Sequence, residues 1–367
     1  MKANETNTQF SAETRWEAFR NELKRSKGKR LDYIVNRWQW KHWPRHKVTD
    51  FPLNIDIEAS SKCQIDCDHC FRQYMDIGEH EHMDLDLFKK IARECGEGGL
   101  FTLKFSMRGE PLMNPHIAEM VAYAKDQGIK EVWINTNGGQ LTERLAGDLM
   151  KARVDWITVS FDGLGEVYES IRRPLKYDKQ IEKLRMLRRL RDELHPGCLL
   201  NVQTLWSAIE RDPAEYVELM KGILDRAAIN PDMNFEEFIL TPDDGFVCPR
   251  LWQRIAITST GNYLKCPSDF QMEEVLGNVK DYTVKEAWDT LQGEQRRLHA
   301  GGRKKDSAVC QKCHHGANKV RREEAPEAVE GADLRQYEYR KDFAGFGAED
   351  RVKDYHDSKP EKRRATG

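Results

Sequence analysis

The sequence lacks the features that would place the chain in a membrane or outside the cell. None of its 367 residues belongs to an apolar run of about 18 residues, the length that a membrane-spanning helix needs. The first residues, MKANETNTQFSAETRWEAF, contain no apolar segment of the kind found in secretion signals. We therefore expect a cytoplasmic protein, in which cysteines rarely form disulfides.

The chain also lacks an excess of charge of either sign. It has 59 lysines and arginines against 61 aspartates and glutamates, a net charge of −2, so its overall charge does not favour nucleic-acid binding. Local basic stretches remain, and residues 36–46 place Trp38, Trp40 and Trp43 among basic side chains. Such rings can stack on bases, but packing of this segment onto the main domain is the favoured interpretation.

Short apolar runs alternate with amphipathic helical patterns from residue 52 onward. The helical segments include 177–194 and 213–227, and Asp84 and Thr142 are predicted N-caps. Six such alternations predict an α/β fold in which helices cover a parallel sheet and chemistry lies at the carboxyl ends of the strands. The predicted strands are residues 53–60, 100–106, 131–136, 155–161, 199–206 and 233–240.

Cysteine is well represented, with nine residues, and three of them follow the first predicted strand. Cys63, Cys67 and Cys70 lie close enough in sequence for their thiolates to converge on one metal centre. Soft thiolates select zinc or iron–sulfur clusters. Three cysteines fit a four-iron cluster with one open iron better than a closed zinc site. Zinc with His69 or His80, or no metal at all, remains open on spacing alone.

Four further cysteines lie between residues 246 and 316. Cys248 and Cys266 flank a predicted hairpin, and Cys310 and Cys313 form a close pair separated by two residues. Four such thiolates make one closed site, for which zinc and an iron–sulfur cluster are both allowed. The remaining cysteines, at positions 95 and 198, are interpreted as small buried hydrophobes.

Distinctive motifs stand at the ends of successive predicted strands. They are the Cys63–Cys70 loop, Ser106-Met107-Arg108-Gly109-Glu110-Pro111, Thr136-Asn137-Gly138 and Ser160-Phe161-Asp162-Gly163. In this order they resemble the motifs of the radical SAM superfamily, and the resemblance covers about residues 53–240. The second motif departs from the family's GGEP pattern, because Arg108 replaces its first glycine.

The resemblance implies a partial (β/α)6 barrel that binds a [4Fe–4S] cluster through Cys63, Cys67 and Cys70. It also implies that S-adenosylmethionine completes the cluster and is reductively cleaved to a 5′-deoxyadenosyl radical, with flavodoxin or ferredoxin as the reductant. Within this family pattern Glu110 would accept a hydrogen bond from the ammonium group of S-adenosylmethionine, and His69 would lie near its adenine. The residues assigned to S-adenosylmethionine in this way are His69, Gly109, Glu110, Thr136, Asn137, Ser160, Asp162, Arg172 and Gln203.

Three of these assignments have plain structural alternatives. Gln203 is equally well interpreted as a half-buried strand residue, and Arg172 as an ordinary arginine on a helix surface. Asp162 precedes a glycine, a pair that is also common in simple turns.

The second cysteine region resembles the small α+β SPASM/twitch domain that follows many radical SAM barrels. The pattern is Cys248, Gly261, Cys266, the stretch from Leu276 to Trp288, and the pair Cys310 and Cys313. Because no cysteine follows Cys313, the resemblance implies one auxiliary [4Fe–4S] cluster with four cysteine ligands. The domains expected on this basis are residues 1–51, a helical and charged extension; 52–242, the barrel; 243–317, the auxiliary domain; and 318–367, a charged and partly disordered extension.

A fully ligated auxiliary cluster favours electron transfer over substrate binding. We therefore expect a two-electron oxidation of a small hydroxylated substrate, such as a sugar, cyclitol or nucleotide-sugar. Only about 50 residues precede the barrel, and they do not predict a leader-binding domain, which favours a small molecule over a peptide. The alternatives are a redox-neutral epimerase or dehydratase, a peptide-modifying maturase and, remotely, a zinc protein associated with nucleic acid. No catalytic acid or base is assigned among Glu237, Asp243, Asp244 and Asp269.

Overall fold

The computed structural model describes most of the chain up to residue 321. The described residues are 10–11, 13–67, 69–73, 76–78, 80–230, 238–242, 245–311, 313, 315 and 317–321. None of the helices within these ranges is long and apolar enough to cross a membrane.

The described residues form strands and helices that alternate through the first two thirds of the chain. The strands are β1 Phe10–Ser11, β2 Asn54–Ile57, β3 Thr102–Phe105, β4 Glu131–Thr136, β5 Trp156–Ser160, β6 Leu199–Leu205, β7 Arg226–Asn230, β8 Phe238–Pro242, β9 Arg254–Ile257, β10 Asn262–Leu264, β11 Val275–Asn278 and β12 Ala317–Arg321. The helices are α1 Arg15–Ser26, α2 Arg30–His42, α3 Leu85–Glu97, α4 Ile117–Asp126, α5 Glu143–Lys151, α6 Gly165–Ile171, α7 Tyr177–Leu194, α8 Pro213–Ile223, α9 Val284–Glu286, α10 Gln292–Ala300 and α11 Ala308–Gln311.

One sheet of ten strands contains both the barrel and the hairpin of the second cysteine region. Its order is β1-β7-β6-β5-β4-β3-β2-β9-β10-β11, and β2 to β7 are parallel neighbours in chain order. This arrangement confirms the predicted partial (β/α)6 barrel. Strand β9 then pairs in parallel with β2 and turns back into β10, so the hairpin extends the barrel sheet at its other edge.

The alternation of side chains along the strands separates two environments. Residues such as Ile55, Ile57, Leu103 and Phe105 face the helices and form the hydrophobic core between sheet and helix layer. Their neighbours in sequence point to the other face, inside the barrel, where polar side chains and three tryptophans, including Trp40 of α2, line a cavity. The helices present matching apolar faces; α3, capped by Asp84, buries Phe88 and Ile91.

The position predicted for the sixth parallel strand was wrong. That strand is β7, Arg226–Asn230, and α8 ends at Ile223 rather than continuing to residue 227. Ala227 and Ala228 favour a helix by intrinsic propensity, but the sheet contacts of β6 override that preference. The predicted run 233–240 lies partly outside the described residues, and β8 pairs antiparallel with β12 in a separate small sheet.

The N-terminal helices cover the amino-terminal end of the barrel. Arg25 of α1 donates two hydrogen bonds to the buried carboxylate of Glu131, which begins β4. At the end of α2, the backbone carbonyl of Trp40 accepts a hydrogen bond from Gln253 beside β9. The Trp40 ring packs against the barrel, with the Arg254 guanidinium of β9 at 4.9 Å from its centroid, as the interpretation of this segment expects, whereas Trp38 is 54% exposed and does not follow it.

A buried ion pair connects the barrel with the second cysteine region. Arg108 Nε donates to Glu58 Oε1 at 2.8 Å, and Arg108 Nη1 donates to the Ile77 carbonyl oxygen at 2.9 Å. The other Glu58 oxygen accepts from the backbone N–H of Ser259, in the turn between β9 and β10, at 3.1 Å. Arg108 and Glu58 thus join four segments of the chain, which a glycine at position 108 could not do.

We predict that Arg108→Met lowers the free energy of unfolding by about 3–5 kcal/mol, because it leaves the Glu58 carboxylate buried without its cation. Urea denaturation followed by circular dichroism measures the change. The matched control is Arg153→Met, which breaks the exposed Arg153–Asp126 pair and should cost about 0–1 kcal/mol. Equal losses in the two variants would contradict the structural role of Arg108.

Candidate metal and cofactor site

A cavity of about 380 Å³ opens at the carboxyl ends of the barrel strands. It brings together all three cysteines of the first cluster and every residue assigned to S-adenosylmethionine except Asp162. The residues concerned are Cys63, Cys67, Cys70, His69, Gly109, Glu110, Thr136, Asn137, Ser160, Arg172 and Gln203.

Polar groups from other loops reach the thiols of the cysteine loop. The Asn137 amide lies 3.6 Å from the sulfur of Cys63, and Arg172 Nη1 lies 3.6 Å from that of Cys67. Burial raises the pKa of Cys63 and Cys70 and raises that of Cys67 to about 12. Metal ligands must be thiolates, so iron binding here would release protons, and the donated N–H groups would stabilise the sulfurs.

Gly109 allows two backbone segments to approach closely. A Cβ at this position would lie 2.2 Å from the Ser60 carbonyl oxygen and 2.6 Å from the carbonyl carbon of Ser61. Only glycine therefore fits against the segment that leads into the cysteine loop. The next residue, Glu110, donates its backbone N–H to the Lys62 carbonyl at 2.8 Å, which fixes the motif in place.

The Glu110 carboxylate is held rigidly although it is only 2% exposed. One oxygen accepts from the Thr136 hydroxyl at 2.6 Å and from the backbone N–H of Leu112, and the other accepts from the backbone N–H of Asn137 at 2.7 Å. Burial raises the pKa of Glu110, while the hydrogen bonds from Asn137 and Thr136 oppose that shift. A carboxylate fixed in this way is a suitable acceptor for a ligand ammonium group.

Asp162, just after the end of β5, is not among the residues that line the cavity. Its carboxylate is buried outside the cavity lining, where it accepts from Arg172 Nε at 2.6 Å and lies 3.6 Å from His69 Nε2. Burial alone would raise the pKa of Asp162, but the charges of Arg172 and His69 hold it below its usual value. In this structure Asp162 positions two lining side chains.

The other strand-end residues form a short polar row. Gln203 donates from its amide to the Ser160 hydroxyl at 2.9 Å, and both side chains line the cavity. The first site thus offers three thiols, one fixed carboxylate, three guanidinium groups, one imidazole, and hydroxyls and amides. It suits an iron–sulfur cluster together with a ligand that carries amino, carboxylate and hydroxyl groups.

The cysteines of the second set lie near enough to one another to influence each other's pKa values. Burial, followed by the nearby Cys266 and Cys313 thiols, raises the pKa of Cys248. The pKa of Cys313 is raised to about 11 by burial and by Cys266 and Cys310. All four thiols are free of disulfides. In the described part of the chain, no three His, Cys, Asp or Glu side chains are placed to hold a single metal ion.

Cationic side chains surround this second site, and the sequence analysis did not single them out. Arg250, which hydrogen-bonds Ser268 at 3.0 Å, has its pKa raised by the nearby cysteines Cys266 and Cys248, although burial alone would lower it. Lys265 is also buried and lies 3.2 Å from the Glu274 carboxylate. A four-iron centre with four thiolates carries negative charge, so these cations stabilise it electrostatically. The sequence did give one indication of these cations: Arg250 lies close to Cys248, and Lys265 lies close to Cys266.

His299 adds a hydrogen-bond donor to the same site. Its ring is 2% exposed, and its Nδ1 accepts from the backbone N–H of Cys248 at 3.4 Å. The proton of a neutral ring must then lie on Nε2, which is 3.4 Å from the sulfur of Cys310. Burial, with Lys265 and Lys304, lowers the pKa of His299 to about 3, so the ring is neutral at physiological pH.

Among the carboxylates considered as catalytic acids or bases, Asp269 has a structural role. It is fully buried, and its two oxygens accept from the backbone N–H groups of Glu273 and Glu274 at 2.9 and 3.0 Å. Residues 237, 243 and 244 lie outside the described residues.

A parallel partial barrel with three cysteines and a fixed carboxylate at its strand ends defines the radical SAM class of enzyme. Comparison with known families agrees: the radical SAM superfamily model matches residues 57–195, and the SPASM iron–sulfur cluster-binding domain model matches residues 248–314. The chain therefore contains a radical SAM domain followed by a C-terminal SPASM domain. The two domains imply S-adenosylmethionine and [4Fe–4S] clusters, one of them auxiliary, which favours a cluster over zinc at the second site.

Individual relatives match about a third of the chain. The probable GTP 3′,8-cyclase of Methanocaldococcus jannaschii is 32% identical over 119 residues, which are 32% of this chain and 39% of that protein. The tungsten-containing aldehyde ferredoxin oxidoreductase cofactor-modifying protein of Pyrococcus furiosus is 30% identical over 140 residues, 34% of this chain and 39% of that protein. The match thus spans about two fifths of the length of these relatives.

A solved structure shares the fold over most of the chain. Native anSMEcpe with bound AdoMet and Cp18Cys peptide aligns with a TM-score of 0.53 at 18% identity, covering 86% of this chain and 98% of that one. At this identity the likeness shows the fold alone.

We predict that His299→Leu makes the reduction potential of the auxiliary cluster more negative, because an N–H···S hydrogen bond stabilises the reduced, more negative cluster. Potentiometric titration followed by electron paramagnetic resonance measures the shift. His299→Gln, whose amide can take the place of Nε2, should restore most of the potential. His116→Leu, at an exposed histidine on another element, is the control. An unchanged potential in His299→Leu at full iron content would contradict this role.

Proposed function

We propose that this radical SAM enzyme oxidises an alcohol group of a small hydroxylated substrate by two electrons, with the auxiliary cluster as electron acceptor. The substrate class is a sugar, a cyclitol or a nucleotide-sugar. The observation that carries the proposal is the position of Arg250. Its guanidinium interacts with three cysteines of the second site and also lines a large cavity inside the barrel. A substrate in that cavity would therefore lie one side chain away from the auxiliary site.

A second contact supports the proximity of the two sites. Phe71, which follows the first cysteine loop and lines its cavity, stacks on Phe270 of the second region with ring centroids 3.9 Å apart. The Glu58–Arg108 ion pair fixes the same two regions through Ser259. Short distances of this kind favour electron transfer between the barrel and the auxiliary domain.

Each residue of the first site has a role in this proposal. Cys63, Cys67 and Cys70 hold the radical SAM cluster, and Glu110 binds the ammonium of S-adenosylmethionine. When bound, these groups supply the 5′-deoxyadenosyl radical that removes a hydrogen atom from the substrate. Ser160 and Gln203 present a hydroxyl and an amide to the ribose, and Arg172, held by Asp162, presents its guanidinium beside Cys67.

The four cysteines of the second site, Cys248, Cys266, Cys310 and Cys313, are proposed as ligands of the auxiliary cluster. With four protein thiolates no iron would be left for substrate, so this centre would accept an electron. Oxidation of the alcohol then balances as follows: one hydrogen atom passes to the 5′-deoxyadenosyl group, one electron to the auxiliary centre and one proton to a base, which leaves a carbonyl.

We also propose where the enzyme acts in the cell and how its chain is divided into domains. We infer a cytoplasmic enzyme that receives its priming electron from flavodoxin or ferredoxin. Residues 52–242 would form the barrel and residues 243–317 the auxiliary domain, although their strands share one sheet.

The test is a single-turnover assay of the anaerobically reconstituted enzyme with candidate polyols and nucleotide-sugars deuterated at the carbinol carbon. We expect deuterium in 5′-deoxyadenosine, one carbonyl product for each 5′-deoxyadenosine, and a reduced auxiliary cluster by electron paramagnetic resonance. Cys310→Ala with Cys313→Ala should still form 5′-deoxyadenosine but little carbonyl product.

A product at the same oxidation level as the substrate would show that the reaction is a redox-neutral epimerisation or dehydration and not an oxidation. Full carbonyl yield in the Cys310→Ala, Cys313→Ala variant would exclude the auxiliary cluster as the electron acceptor. Cys95→Ala, at a buried cysteine packed in the core, controls for the loss of a thiol as such.

A further inference from the structure

A second and larger cavity, of about 1090 Å³, lies inside the barrel towards the amino-terminal ends of the strands. Asn54 and Thr102, which begin β2 and β3, are part of its lining. Asn135 and Gln203 line both this cavity and the cavity that contains Cys63. The two spaces are therefore adjacent, and a ligand could extend from one to the other.

The lining of this larger cavity has charge of only one sign. None of its described lining residues is an aspartate or a glutamate. The cationic and histidine residues that line it are Arg25, Arg37, Lys41, Lys104, Arg226, Arg250, Arg254, His42 and His46.

Carboxylates behind the lining compensate only some of these charges. Glu131 pairs with Arg25, Glu13 with Arg226 and Asp56 with Arg254 at 3.1 Å. Neither Arg37 nor Lys104 has a carboxylate within ion-pair distance among the described residues. Burial and the neighbouring cations Arg254 and Arg250 lower the pKa of Lys104, despite the opposing charge of Asp56.

Tryptophan rings hold the cations in position without neutralising them. The Trp40 ring has Arg37 at 5.1 Å and Arg254 at 4.9 Å from its centroid. Trp156 is similarly placed, with Arg226 at 5.0 Å. Guanidinium groups stacked on aromatic faces keep their N–H donors available for another partner.

Buried polar atoms in the same lining lack partners. The side chains of Asn54 and Asn201 are 5% and 4% exposed, yet Asn54 Nδ2 and Asn201 Oδ1 have no hydrogen-bond partner among the described residues. The same is true of Arg254 Nε. The two unsatisfied donors, Asn54 Nδ2 and Arg254 Nε, lie beside uncompensated cations and indicate a ligand that supplies oxygen acceptors and negative charge, whereas the Asn201 Oδ1 acceptor would need a donor group.

We propose that this cavity binds the anionic, phosphate-bearing part of the substrate, with Lys104, Arg37 and Arg254 as its contacts. This inference rests on the proposed function and narrows its substrate class to phosphorylated or nucleotide-linked alcohols. The neutral, hydroxylated part of the substrate lies beside Asn135 and Gln203, next to the cavity of the cysteine loop. Residues at the amino-terminal ends of the strands thus determine specificity, while those at the carboxyl ends hold the cofactor.

The experiment is anaerobic isothermal titration calorimetry of the reconstituted enzyme with three probes: pyrophosphate, uridine 5′-diphosphate and neutral uridine. We expect saturable binding of both anions, none of uridine, and weaker binding as the salt concentration rises. Lys104→Met should weaken anion binding about tenfold or more, and Lys104→Arg should restore it. Lys151→Met, at an exposed lysine in α5, should have no effect.

Comparing the affinities for the probes distinguishes the kinds of substrate that could carry the phosphate group. Tighter binding of uridine 5′-diphosphate than of pyrophosphate identifies a nucleotide-linked substrate, and equal binding identifies a simpler phosphorylated one. Absence of saturable anion binding, or anion binding that Lys104→Met leaves unchanged at full iron content, overturns the inference. Binding does not require turnover, so anion binding without a carbonyl product would refute the proposed oxidation and leave this inference standing.

Discussion

The ion pair between Glu58 and Arg108 is the constraint on which both halves of the molecule depend. It joins the end of β2, the loop after β3, the Ile77 carbonyl and the turn after β9, and all of its charge is buried. The residue that follows, Gly109, lies directly against the entry to the cysteine loop. One arginine therefore fixes the loop that carries the first site and the hairpin that carries the second. Burying this arginine has a high desolvation cost, which is offset because Glu58 and the Ile77 carbonyl accept hydrogen bonds from its guanidinium.

Much of this architecture could be predicted from the sequence, because the strand-end motifs are local. Glu110, Thr136 and Asn137 form the connected group that their motifs indicate, and the three cysteines of the first loop line one cavity. The contacts that the sequence did not predict join distant segments. His299 lies 51 residues from Cys248, and nothing in its helix distinguishes it. Strand β7 was missed because its alanines carry a helical preference that only sheet pairing overrides.

The barrel interior combines these elements into a charge-separated space. At the strand ends, the fixed carboxylate of Glu110 and the thiols favour cationic partners, namely an ammonium group and iron. At the opposite end, Lys104 and the arginines around Trp40 favour an anion. A molecule with an anionic tail and a neutral hydroxylated head would be oriented by this field before any reaction. In the proposed oxidation, Arg250, which is shared between this space and the auxiliary cysteines, would connect substrate orientation with electron transfer.

The central claim is that the two cysteine sites each hold one four-iron cluster. It is tested most directly by measuring iron, sulfide and zinc per chain after anaerobic reconstitution. Three proteins are compared: the unaltered chain, the Cys63→Ala, Cys67→Ala, Cys70→Ala variant, and the Cys310→Ala, Cys313→Ala variant. We predict about eight irons and little zinc in the unaltered chain, falling to about four in either variant. About four irons with one zinc, the zinc lost only with Cys310 and Cys313, would make the second site structural and contradict its role as an electron acceptor.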